Sequence, residues 1–196
     1  MKILNQVLEA NREFIKERQA KELLKPTPEV SKIPSKELAI FTCMDTRLVD
    51  FLEGAMGVKR GEAKMLKNAG NTLAHPFGGM IRSLMIGIYE LGVNEVMVIG
   101  HRDCGMAGAS AEGMIEKMLA RGVSPDAIKL IEKSLHQWVD TFHHPIENVG
   151  DVVMQIRENP LIPNDVPVHG LIFDPNSGEL ELIVNGYDHV KPVVSE

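Results

Sequence analysis

Two short, nearly continuous apolar runs, Leu38-Ala39-Ile40-Phe41 and Val96-Met97-Val98-Ile99, constrain the fold most. Each has the length of a strand, and neither alternates as a strand with one wet face would. Runs of this kind suit strands covered on both faces, the setting of a parallel sheet. Around them the apolar period switches to that of helices. Leu48, Phe51, Leu52, Ala55 and Met56 recur at helical spacing, and Gly57 is placed to close that helix. Met80, Ile81, Leu84, Met85 and Ile88 make one stripe of a helix expected over Phe77 to Leu91, with Gly92 after it. Helical patterns return from Gly113 to Arg121, from Ser124-Pro125-Asp126 onward and from Ile146 to Arg157. In the second of these, Ser124 serves as cap and Pro125 sits in the first turn. Ala63 to Lys67 reads as a further strand. The tail reads as two strands, Val166 to Phe173 and Glu179 to Val184, around the turn Asp174-Pro175-Asn176-Ser177-Gly178. This alternation predicts an α/β fold, a mostly parallel central β-sheet flanked by helices and ending in a C-terminal hairpin.

The first segment is different. Ile3, Leu4, Val7, Leu8, Phe14 and Ile15 repeat at helical spacing, and a breaker-rich stretch from Lys25 to Ser35 separates them from the rest of the chain. Residues 1–35 are therefore expected to form an N-terminal helical arm and linker, and residues 36–196 a single α/β domain. An arm with one apolar stripe must cover something, and a partner subunit is the preferred cover.

Composition narrows the function. A chain of 196 residues with 44% hydrophobic and 24% charged residues is ordinary globular material, not a disordered one. Twenty-one basic residues against 27 acidic ones give a net charge of −6, and no long basic run occurs, which argues against nucleic-acid binding. No apolar run approaches the ~20 residues of a membrane span. Asn5, Gln6, Glu9 and Asn11 interrupt the first apolar stretch too early for a signal peptide. A cytoplasmic location is the expectation. The two cysteines, Cys43 and Cys104, are too few for a disulfide scaffold. They leave three readings: a metal or catalytic site, a redox dithiol, or two small buried apolar side chains.

The neighbours of the cysteines favour metal. In open α/β sheets ligands bind outside the carboxyl ends of the strands. Cys43 ends one expected strand within Cys43-x-Asp45-x-Arg47, and His101-x-x-Cys104 follows another. Thiolate sulfur and imidazole nitrogen suit zinc, and three protein ligands leave one open tetrahedral position, the pattern of a catalytic site. Two thiolates neutralise Zn²⁺, so its water is acidified less than by an all-imidazole site, and a nearby acceptor becomes useful. Asp45 can reach that position, and Arg47 can hold it ionised in a bidentate pair. If Arg47 released it, Asp45 could become a fourth ligand and close the site. A redox dithiol would give a Cys43–Cys104 disulfide but leaves His101, Asp45 and Arg47 without roles.

The segments Ile40-Phe41-Thr42-Cys43-Met44-Asp45-Thr46-Arg47-Leu48 and Gly100-His101-Arg102-Asp103-Cys104-Gly105-Met106 resemble the two zinc motifs of β-class carbonic anhydrases. Lys67-Asn68-Ala69-Gly70-Asn71 resembles the segment between them, and His169-Gly170 with the apolar strand after it resembles the family's late strand. The likeness runs from about Lys36 to Val184 and is nearest to the short microbial and archaeal-type branch. It implies one Zn²⁺ per chain on Cys43, His101 and Cys104, and reversible hydration of CO₂ to bicarbonate and a proton by zinc-activated hydroxide. Asp45 and Arg47 would be the catalytic pair, with Asp45 a metal ligand only in closed forms. Residues 36–196 would then be a zinc-binding catalytic domain, in a homodimer or dimer-based oligomer embraced by the arm. Hydrolysis of CS₂ or COS on the same fold, or a non-catalytic zinc- or bicarbonate-binding module, are the alternatives. His75 is a candidate proton carrier. His136, His143, His144 and His189 are expected at the surface, and His169 as a structural strand residue. Arg102 and Asp103 are expected to be solvated, and Gly105 to let backbone approach the metal loop closely.

Overall fold

In the computed structural model, residues 2–22 and 29–190 are described, and the chain divides into two units, Met1–Ser31 and Lys32–Glu196. The first unit holds helix α1 (Ile3–Glu22). Its Ile3, Leu4, Val7, Leu8, Phe14 and Ile15 are all exposed. Pairs three residues apart, Glu9 with Arg12 and Glu13 with Lys16, lie along its surface. Of the expected linker, residues 25–28 lie outside the described residues.

The second unit is built on a five-stranded sheet: β1 (Leu38–Cys43), β2 (Ala63–Asn68), β3 (Glu95–His101), β4 (Val168–Phe173) and β5 (Leu180–Val184). The spatial order is β2-β1-β3-β4-β5, with the first four parallel and β5 antiparallel to β4. Every residue of β1 is buried and β3 nearly so, while the edge strands β2 and β5 are half-covered. That difference explains why only the central strands read as unbroken apolar runs. From β1 the chain runs outward to β2, then returns to place β3 on the other side of β1. The strand order therefore reverses between β1 and β3, where open sheets of this class bind ligands.

The helices are α2 (Phe51–Ala55), α3 (Gly79–Leu91), α4 (Ala111–Ala120), α5 (Pro125–Val139) and α6 (Pro145–Arg157). α6 buries Val149, Val152, Val153 and Ile156 against β3 and β4. Two sheet glycines make room for it. A Cβ on Gly100 would lie 2.7 Å from Val149 Cγ2, and one on Gly170 2.8 Å from Val149 Cγ1.

Among the boundaries that shift, α3 starts at Gly79 and β4 at Val168, each two residues later than expected, and two others have a plain local cause. The helix expected from Leu48 to Met56 is a 3₁₀ turn (Thr46–Leu48) followed by the short α2, because Asp50 takes a left-handed φ of 60° between them. α4 starts at Ala111, ahead of the expected Gly113, because the Ser110 hydroxyl caps it by accepting the Gly113 N–H at 3.1 Å. Ser124 caps α5 as expected, through the Ala127 N–H.

Candidate metal centre and active site

β1 and β3 are neighbours in register, so their carboxyl ends deliver Cys43 and His101 to the same place. The loop after β3 returns Cys104 to them. The ligand-type atoms of Cys43, His101 and Cys104 lie within 4.8 Å of one another and all three residues are buried. This is the only such cluster of metal-ligating side chains among the described residues. The two sulfurs are 3.9 Å apart and both cysteines are free.

His101 carries the most informative atom. Its Nδ1 lies 2.9 Å from the Arg102 carbonyl oxygen, which can only accept, so Nδ1 bears the proton. In the neutral ring Nε2 is then left with a lone pair, and it is buried with no hydrogen-bond partner. A buried acceptor with nothing to accept from is costly. Beside two thiols it is what a bound cation would satisfy, and a backbone carbonyl on the other ring nitrogen is how metal-bound histidines are commonly oriented. The donor set fits a metal.

The sulfurs are prepared as well. The Cys43 thiol is pulled down to about 4 by a hydrogen bond from Cys104, helped by His101 and the Gly70 N–H and opposed by burial. Cys104 is pushed up by the same sharing and by burial. The Gly70 N–H lies 3.4 Å from Cys43 Sγ. Gly70 has φ 65°, and a Cβ there would meet Met106 Cγ at 2.8 Å and Phe142 Cε2 at 3.0 Å. The Asn148 side-chain amide secures its carbonyl at 3.0 Å.

Asp45 and Arg47 form a tight pair on the 3₁₀ turn after β1. Asp45 Oδ1 accepts from the Arg47 backbone N–H at 2.9 Å and from Nε at 3.0 Å, and Oδ2 accepts from Nη2 at 2.8 Å. Arg47 thereby holds the Asp45 carboxyl down at about 2, and Arg47 itself is raised further above its ordinary value by Asp45 and Asp103. Asp45 Oδ2 stands 3.8 Å from His101 Nε2, next to the cluster of three but outside it.

Around these groups some residues meet expectation and others depart from it. Asp103 is exposed, yet its Oδ2 accepts from Arg47 Nη1 at 2.9 Å and its carbonyl from Nη2 at 2.7 Å. Arg102 makes a surface pair with Glu181 at 2.8 Å. A Cβ on Gly105 would meet nothing within 4 Å, so the close backbone approach belongs to Gly70 instead. Sequence reasoning missed Gly70 as a donor to sulfur, although Asn-Ala-Gly-Asn is a turn signal of the right kind. It also missed Asn148. His75 is exposed, and Cys43, His101 and Cys104 do not line the cavities that it borders. His143, His144 and His189 are exposed, His136 is half-buried, and His169 is buried with Nδ1 accepting the Gly186 N–H.

The carbonic anhydrase family model matches residues 38–180, which takes in β1 to β4 and the side chains of Cys43, Asp45, Arg47, His101 and Cys104. The chain belongs to the β-carbonic anhydrase family. Among solved β-carbonic anhydrases it is similar to isoform I of Trichomonas vaginalis, with a TM-score of 0.90 and 41% identity over 95% of this chain and 100% of that one. It is 44% identical to the "Putative carbonic anhydrase YtiB" of Bacillus subtilis (strain 168), over 96% of this chain and 100% of the relative. It is also 29% identical to a carbon disulfide hydrolase of Acidithiobacillus thiooxidans, over 74% of this chain and 76% of the relative. A β-carbonic anhydrase needs a metal, and the Cys-His-Cys group of this one could hold it.

Proposed function

We propose that the chain is a zinc-dependent carbonic anhydrase that interconverts CO₂ with bicarbonate and a proton. Cys43, His101 and Cys104 hold Zn²⁺ in this reading, and Asp45 and Arg47 are the catalytic pair. The observation that carries it is the unpartnered Nε2 of His101 close to two thiols, with a carboxylate fixed in its ionised form beside them.

Zinc in this donor set supplies an acidified water as nucleophile, less strongly than an all-imidazole set would. Asp45 would orient that water. Arg47 takes three of the roughly four acceptor sites of the carboxylate and leaves one on Oδ2, through which Asp45 can accept a hydrogen bond from the water and orient it. Leu48, Ile99, Phe142 and Phe173 are buried around the cysteines and keep the surroundings apolar, as a small apolar substrate requires.

Metal analysis after purification without added metal should find one zinc per chain, whereas a dithiol redox protein would be metal-free and disulfide-bonded. Stopped-flow assays should show CO₂ hydration by the wild type and a loss of about a hundredfold or more in Asp45→Ala with zinc retained. Absence of hydration by zinc-loaded wild type anywhere from about pH 6 to pH 9 overturns the reading. The kinship with carbon disulfide hydrolases makes CS₂ the substrate to run in parallel. Equal activity of wild type and Asp45→Ala would remove Asp45 from the catalytic pair, whereas zinc held without any hydration would indicate a binding module.

The exposed apolar stripe of α1 supports a homodimer in which the arm covers a second copy. No helix among the described residues is long and apolar enough to cross a membrane, and we place the enzyme in the cytoplasm.

A further inference from the structure

We propose that Asp103, lying between the two donors of the His101-x-x-Cys104 loop, is the positioning residue that fixes Arg47 on Asp45 during hydration. The proposal rests on the reading of the site as a carbonic anhydrase.

Arg47 belongs to the turn after β1 and Asp103 to the loop after β3, so their contact spans the two strands that build the site. The Asp45 contacts alone come from the guanidinium's own turn, two residues away. An arginine held only from its own turn can swing on its long side chain together with its partner. Asp103 supplies a second set of acceptors from elsewhere. Its Oδ2 meets Nη1 at 2.9 Å and its carbonyl oxygen meets Nη2 at 2.7 Å. Nε, Nη1 and Nη2 of the one planar group are then all engaged, on two different segments.

The backbone of Asp103 explains how one residue presents both acceptors. Its φ is 54°, the left-handed region that side chains other than Asn and Asp adopt with difficulty. This turn directs carbonyl and carboxylate to the same guanidinium. It also ties Arg47 to the loop that carries His101 and Cys104, so the orientation of Asp45 is set relative to the metal donors. The Asp103 carboxylate is 86% exposed, and a lone ion pair so placed would do little. Here the carbonyl contact, which salt screens less, works with it.

The test uses zinc-loaded protein with its metal content measured, in three variants. Asp103→Gly keeps the left-handed backbone and the carbonyl but removes the carboxylate. Asp103→Asn keeps an acceptor oxygen and tolerates that backbone. Asp103→Ala removes the carboxylate and disfavours the backbone. Two readouts are taken: stopped-flow kcat and KM for CO₂, and the water-exchange rate of the Arg47 Nε–H by ¹⁵N NMR. We expect Asp103→Ala to lower kcat and speed exchange roughly tenfold, Asp103→Gly to fall between, and Asp103→Asn to stay near wild type, with KM and zinc content unchanged. Wild-type exchange and kcat in both Asp103→Gly and Asp103→Ala would overturn the proposal, as would Asp103→Asn proving as damaging as Asp103→Ala. Should Asp103→Ala fail to fold, Asp103→Gly and Asp103→Asn decide between these outcomes. If zinc-loaded wild type hydrates no CO₂, the functional reading falls, while the exchange rates still report whether Asp103 fixes Arg47.

Discussion

Gly70 shows how much of the site depends on one missing Cβ. Its amide reaches Cys43 Sγ, its φ is 65°, and Met106 and Phe142 fill the space a side chain would need. Gly70→Ala is expected to cost about 2–3 kcal/mol, the sum of a left-handed alanine and an overpacked contact. Denaturant midpoints of the metal-free proteins will show it, and the variant should also bind zinc more weakly. Cys43, His101, Cys104, Asp45 and Arg47 could be picked out from sequence because their chemistry is written in their residue types and spacing. Gly70 and Asp103 could not. Their parts depend on positive φ angles that no pattern of side chains announces.

The docking of α6 on β3 and β4 gives a contrast between glycines. Gly100→Ala places a Cβ 2.7 Å from Val149 and 3.1 Å from Ile172, and should destabilise by about 1–3 kcal/mol. Gly150, inside α6, meets nothing within 4 Å, so Gly150→Ala should stabilise by about 0.5–1 kcal/mol. Thermal melts of the two variants should move in opposite directions. Asp140, at the end of α5, accepts the Ala111 N–H at the start of α4 and pairs with His136. Those contacts, the Ala111 N–H foremost, hold its carboxyl below the usual range. A depressed carboxyl stabilises the fold above the unfolded-state value and loses that effect as pH falls through the folded one. The deficit of Asp140→Asn should therefore be largest near neutral pH and vanish in acid, as read from unfolding midpoints across that range. Strand and helix types were legible from apolar period, since β1 is wet on neither face and α3 on one. The break at Asp50 was not, because a left-handed aspartate interrupts an otherwise continuous helical stripe.

For the molecule as a whole, α1 carries the clearest open question of assembly. Leu4, Val7 and Leu8 leave a stripe that water wets in the single chain. We expect the wild type to run at twice the mass of one chain in light scattering, and a Leu4→Lys, Leu8→Lys double variant to shift toward the single chain. Sequence showed the stripe but not its cover, because periodicity records that a face is apolar and not what lies on it.

Cys43 and Cys104 are 61 residues apart in the chain, yet one ends β1 and the other lies on the loop that follows its neighbour β3, their sulfurs 3.9 Å apart. A zinc ion held by both would act as a removable rivet, closing a long loop that the unfolded polypeptide would otherwise leave loose. Chelation should thus lower the melting temperature, and restoring the metal should recover it progressively as free zinc rises. The catalyst and the fastener would be one ion, so an enzyme starved of zinc forfeits durability along with turnover.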